Sequence, residues 1–147
     1  MNSARRLIFV VAAILIAGSV LGAGIVGKWK GKVVIDTSKF PQAQSPEQKK
    51  AMESGLAMLK KMQFSLNFKA NNTYIAEATN VPGQTGPQKD EGTWKLEGNT
   101  LWLTSVKENG KPSHDKKPKK FLVQNGGKKI SLAEAGLPPG VTVFFVR

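Results

Sequence analysis

The chain contains no cysteine among its 147 residues. That absence excludes a disulfide scaffold, an iron–sulfur centre, a cysteine-based zinc site, a thiol nucleophile and the lipidated cysteine of a bacterial lipoprotein. Histidine occurs once, at His114, which excludes every multi-histidine metal site. Acidic residues are few: 10 Asp+Glu face 22 Lys+Arg, for a net charge of +12. Arginine stands only at Arg5, Arg6 and Arg147, so lysine carries the charge. Lysine is a hydrated point charge that suits solubility and diffuse attraction better than bidentate recognition. With no arginine cluster and no nucleic-acid-binding motif, nucleic acid is not an expected partner. Internal repeats are also lacking.

What is present fits one folded domain: 40% hydrophobic and 22% charged residues in a chain of single-domain length. It is preceded by a membrane-directed segment. Arg5 and Arg6 stand before an apolar run over 7–26, interrupted only by Gly18, Ser19, Gly22 and Gly24. Two positive charges before such a run are the first two regions of an export signal, and the small residues at 18–24 offer cleavage points. The competing reading is an uncleaved anchor, since about twenty apolar residues span a bilayer with the arginines left in the cytoplasm. Residues 1–23 are therefore expected to be a signal peptide or N-terminal membrane anchor helix, and 24–147 an exported domain, periplasmic or extracellular. The alternative is a domain tethered to the inner membrane by residues 7–26.

In the exported part, Trp29, Gly31, Val33 and Ile35 alternate with Lys28, Lys30 and Lys32. A period of two means a strand with one dry and one wet face. Ser45-Pro46-Glu47-Gln48 reads as a helix start: a capping serine, proline at the first helical position and glutamine completing a capping box. Met52, Leu56, Leu59 and Met62 recur at helical spacing, which predicts one amphipathic helix from Pro46 to about Met62. Short alternating strands follow near 64–69, 74–78, 92–97, 101–104, 121–124, 129–132 and 141–147. Between them lie turns at Asn71-Asn72, Gly98-Asn99, Asn109-Gly110 and Asn125-Gly126-Gly127, a polar loop at 81–89, a basic loop at 111–120 and a Pro/Gly loop at 135–140. Strands joined by short turns pair antiparallel. An open sheet of this kind would leave two bare edges and one apolar face wet, and closure removes both faults. The expected fold is mainly β, an eight-stranded antiparallel up-and-down barrel. Its one helix, between strands 1 and 2, is expected to plug or cover one end.

Gly27-Lys28-Trp29 at the start of the first strand and the 92–101 stretch, GTWKLEGNTL, together resemble bacterial exported lipocalin-like domains of the calycin type. The resemblance implies that Trp29 packs across a closed barrel end, under a basic residue from late in the chain, for which Arg147 is placed. It departs from true lipocalins in lacking a second Thr-Asp-Tyr motif and in carrying its helix after the first strand. Gly27-Lys28-Trp29-Lys30-Gly31 is also similar to the opening of haem-binding nitrobindin barrels, but those need a histidine late in the barrel, and His114 sits in a lysine-rich loop. No cofactor is expected.

Candidate ligand-binding residues are those on the inward faces: Trp29, Gly31, Phe64, Phe68, Tyr74, Ala76 and Trp94. The same aromatics serve equally to fill a small core. So short a chain leaves little spare volume, which favours a filled core; if a cavity exists, it opens where side chains are small, at Gly31, Ala76 and Ala78. Candidate anion-binding residues are Lys116, Lys117, Lys119 and Lys120 of the basic loop with Lys128 and Lys129 beyond the next strand, against the ordinary reading of a solvated charge run. His114 beside Asp115 lacks a second ligand or nucleophile. Glu77 faces outward by alternation, and Asp90-Glu91 is read as lying in a loop before a strand, so paired-carboxylate chemistry is not supported. The Asn71-Asn72-Thr73 sequon falls in a hairpin turn. The expected function is non-enzymatic: an exported barrel that binds a small apolar ligand or a partner protein. The alternative is a basic adaptor that holds anionic envelope lipids or polysaccharide through the 111–120 loop. An interior pocket of at least ~300 Å³ favours the first, and steeply salt-sensitive attraction favours the second.

Overall fold

The computed structural model describes residues 24–133, 137 and 139–147. The export or anchor segment assigned to 1–23 lies outside the described residues, as does part of the loop expected at 135–140. Among the described residues no helix is long and apolar enough to cross a membrane.

The alternating lysines and apolar residues at the start form β1 (Gly27–Ile35), with Trp29 fully buried and Lys28, Lys30 and Lys32 exposed. After a 3₁₀ turn comes α1 (Pro46–Lys61). Ser45 caps it by accepting from the Gln48 N–H at 3.2 Å, while the Gln48 side chain accepts from the Gln44 N–H at 2.8 Å. Lys60 and Lys61 sit in the last turn, where the helix dipole favours cations. Then follow β2 (Gln63–Phe68), β3 (Thr73–Thr79), β4 (Gln88–Glu97), β5 (Thr100–Glu108), β6 (Lys111–Pro112), β7 (Lys119–Gln124), β8 (Lys129–Leu132) and β9 (Val141–Val146). Each pairs antiparallel in the order β4-β3-β2-β1-β9-β8-β7-β5, and β5 pairs back to β4, which closes an eight-stranded barrel. The two-residue β6 only extends the end of β5. Asn109 and Gly110 both have positive φ, 50° and 79°, the geometry that lets a two-residue turn match the strand twist.

Three local expectations change. The ladder between β4 and β5 runs on through Asp90–Glu108 and Glu91–Lys107, so the end of the polar 81–89 stretch and the Asp90-Glu91 pair lie in a strand. The basic 111–120 loop gives its first two residues to β6 and its last two to β7. The helix does not plug the barrel: none of its residues is buried, and Met52, Leu56 and Leu59 remain half-exposed beside Pro82. It rests at the rim against β1, and Asn80 donates to its Lys61 carbonyl at 3.0 Å. The polar groups Gln88, Asp90, Glu108 and Asn109 stand at that mouth, and an apolar stripe pressed over them would strip them of water.

The core fills the opposite half. Ile25, Trp29, Leu66, Phe68, Leu101 and Ile130 are at most 2% exposed. The Phe68 and Trp94 rings meet edge to face at 5.8 Å. The Trp29 indole donates to the Ile25 carbonyl at 2.8 Å, and the Trp94 indole to the Lys69 carbonyl at 3.1 Å, so neither ring buries an unsatisfied N–H. Two glycines mark close approaches. A Cβ at Gly92 would collide with the Thr104 carbonyl and the Tyr74 ring, and one at Gly31 with Phe64. Gly55, on the helix surface, has nothing within 4 Å of that position. Urea denaturation should therefore separate them. Gly92→Ala is expected to cost about 2 kcal/mol or more by overpacking, whereas Gly55→Ala is expected to gain about 0.5–1 kcal/mol through helix propensity. Equal effects at the two positions would contradict this packing.

Candidate functional site

The barrel has two unlike ends. At the end where β1 begins, Arg147 lies over the Trp29 ring at 4.7 Å and donates to the Val26 carbonyl at 2.6 Å, sealing the floor. This is the arrangement that the lipocalin-like resemblance implied for Trp29 and Arg147. At the other end the interior opens into a cavity of about 260 Å³, lined by Phe64, Ala76, Ala78, Asp90, Glu108 and Phe145 among others. Alternation places these side chains. Positions 64, 66 and 68 on β2, 74, 76 and 78 on β3, and 90, 92 and 94 on β4 share the inward face. Ala76 and Ala78 are small where neighbouring inward positions are bulky, and the space opens there.

Glu108 enters by a different route. On β5, Ser105 pairs with Gly92 and Lys107 with Glu91, so Val106 is an unpaired bulge residue. The extra residue shifts the parity and aims Glu108 at the same side of the sheet as Asp90, its ladder partner.

The floor of the mouth is a satisfied polar cluster. Tyr74 Oη donates to Asp90 Oδ2 at 2.8 Å, and the buried Ser105 hydroxyl donates to Asp90 Oδ1. The Ser113 hydroxyl, also buried, donates to Glu108 at 2.6 Å. No buried side-chain nitrogen or oxygen among the described residues lacks a partner. Burial pushes the Tyr74 phenol well above its ordinary range, and the hydrogen bond to Asp90 and the charges of Asp90 and Glu108 add to the rise. The mouth thus combines an apolar wall with two carboxylates that sit at fixed distances from hydroxyl donors. Among the described residues, no group of three His, Cys, Asp or Glu stands close enough to hold a metal.

The residues singled out from the sequence divide. Phe64 and Ala76 line the cavity, and Tyr74 contributes to its floor through its hydroxyl. Trp29, Phe68 and Trp94 do not reach it, because they fill the sealed half. Gly31 opens no space, since Phe64 and Phe145 lie directly over it. Lys116, Lys117 and Lys119 are exposed around the start of β7, and Lys120 lies 5.9 Å from the Trp102 ring. Lys128 and Lys129 stand at the far end of the β7–β8 hairpin, about 17 Å of strand away. The six lysines are therefore not one patch. His114 is exposed. Ser105, Glu108 and Ser113 give no signal in the sequence, and Asp90 reads there as part of a loop outside any site. Extending the Gly92–Trp94–Leu96 alternation back by one step would have placed Asp90 on the inward face.

A closed antiparallel barrel with one sealed and one open end is calycin-like in architecture. The chain belongs to the family described as "Domain of unknown function (DUF5004)", whose model matches residues 17–134. The lipocalin likeness is thus one of architecture, and the matched residues stop short of β9. Among solved structures, the chain is similar to a DUF4847 family protein from Bacteroides vulgatus, at 18% identity and a TM-score of 0.44, covering 83% of this chain and 92% of that one. No curated protein matches the chain.

Tyr74 is the chain's one tyrosine, so its ionisation can be followed without interference from another phenol. The fold raises its pKa above the unfolded value of about 10, so its contribution to stability is complete below that pH and is lost as pH rises beyond it. Phenolate absorbance at pH ~11 should be missing from the folded protein and appear only on unfolding. Stability should decline above pH ~10, and Tyr74→Phe should remove that decline. A phenol that titrates near 10 in the folded state would refute the buried Tyr74–Asp90 pair.

Proposed function

We propose that the protein is an exported, non-enzymatic binding barrel that takes a compact ligand into its open mouth. The observation that carries the reading is the cavity of about 260 Å³ walled by Phe64, Ala76, Ala78 and Phe145 over a polar floor. Its volume falls short of the ~300 Å³ at which pockets for drug-sized ligands begin. The ligand is therefore small, with an apolar body for the wall and a hydrogen-bond donor for the carboxylate side. Both oxygens of Asp90 already accept from protein hydroxyls, which supports a binding role over a catalytic one. Export rests on the Arg5-Arg6 pair and the apolar run over 7–26.

Native mass spectrometry of the protein purified from its own host tests the reading. A small molecule is expected to be retained by the native protein and released on unfolding. Ala76→Leu, which fills the mouth, should abolish retention while leaving the circular dichroism of the barrel intact. Protein that carries no bound molecule, and whose melting does not respond to compact ligands with an apolar body and a donor group, would refute the proposal.

A further inference from the structure

Charge is segregated across the outside of the barrel. The strands β1, β9, β8 and β7 form one continuous wall that contains no acidic residue. Lys28, Lys30, Lys32, Lys120 and Lys129 occupy outward positions on it. Glu77, Glu91 and Glu97 stand on β3 and β4, where Lys89 and Lys95 pair with Glu91 and Glu97. None of the ion pairs among the described residues involves a lysine of the basic wall. The 111–120 loop is less purely basic. Its Asp115 accepts from the Lys117 N–H, and Glu108 lies beside it through Ser113.

The wall's lysines are interleaved with apolar side chains. Lys30 pairs with Val146 and Val146 with Lys129, so the two lysines flank a valine across about 10 Å. Lys32 pairs with Phe144, and Lys129 Nζ lies 4.5 Å over the Phe144 ring. Val34 is 50% exposed and Leu122 36%. These bare aliphatic side chains stand among the wall's lysines, on the same outer face.

We propose that this wall docks onto an anionic lipid bilayer. Lysine stems lie along apolar surface while their ammonium groups reach outward, so one face offers hydrocarbon to the interface and charge to the headgroups. Several lysines near an anionic leaflet add their attractions, and no carboxylate on the wall opposes them. The sequence also points here: the apolar run over 7–26 ends one residue before β1, and Lys28 is the first charge after it. An acidic polysaccharide is a poorer fit, because the wall offers point charges and no guanidinium fork. The inference stands apart from the mouth cavity.

The test is lysine acylation of the full-length protein, read residue by residue by mass spectrometry, on vesicles of phosphatidylglycerol mixed with phosphatidylcholine and on phosphatidylcholine alone. Labelling of Lys30, Lys32 and Lys129 is expected to slow by about fivefold or more on the anionic vesicles, with Lys49, Lys50 and Lys60 of α1 unchanged, and ~0.5 M salt should restore it. In a Lys30→Gln, Lys32→Gln, Lys129→Gln variant, Lys28 and Lys120 should label at one rate on both vesicle types, with the melting of the domain unaltered. Equal labelling of the wild type on both vesicles overturns the proposal. So does protection confined to Lys116 and Lys117, or protection by a soluble acidic polysaccharide and not by vesicles. Since the mouth is read by retained mass, either proposal can fail without the other.

Discussion

The two ends of the barrel domain are fastened to each other. Arg147 covers the Trp29 ring and donates to the Val26 carbonyl, 121 positions away along the chain. Beside it, β9 pairs with β1 from Lys30–Val146 to Ile35–Val141. This contact turns a meander into a closed surface. An open sheet of these strands would leave two rows of unpaired backbone groups and could not keep Trp29 wholly from water. Burial of a side chain that size stabilises the fold by about 3 kcal/mol, provided its indole N–H keeps a partner. The Ile25 carbonyl supplies that partner.

With the ends joined, the interior grades from one end to the other. Bulky residues (Trp29, Phe68, Trp94, Leu101 and Ile130) occupy the sealed half. Toward the mouth the inward positions become Ala76, Ala78, Asp90, Ser105 and Glu108. A carboxylate inside a barrel is tolerable only with donors, and Asp90 has Tyr74 and Ser105. Those bonds also tie β3, β4 and β5 together where the wall is thinnest in side-chain volume. The mouth is thus held open by a polar brace, and α1 stays at its rim.

Much of this was legible in the chain. Lys28 to Ile35 announces its two faces by alternation, Ser45-Pro46 announces the helix, and Asn109-Gly110 announces a hairpin. What could not be read depends on partners remote in sequence. The ladder from Gln88 to Glu91 forms because β3 and β5 flank it, and its polar residues gave no apolar signal. Glu108 faces the cavity because of a bulge at Val106, which is set by pairing with Glu91 and Gly92. Sequence proximity suggested that Lys128 and Lys129 share a patch with Lys116, Lys117, Lys119 and Lys120, but the length of β7 carries the two groups apart. Lys30 and Lys129 meet across Val146 only because the last strand lies between the first and the eighth. Gly31, small in sequence, is filled in space by Phe64.

Sealed floor, open mouth and segregated outer charge all follow from closure through β1 and β9. Residue-resolved hydrogen exchange in the native protein tests that closure most directly. If the account is right, the amides that pair β1 with β9 exchange as slowly as those that pair β4 with β5, and only through global unfolding. If β9 instead exchanges early and by itself, while the remaining strands stay protected, the barrel is not closed by this seam and the account fails.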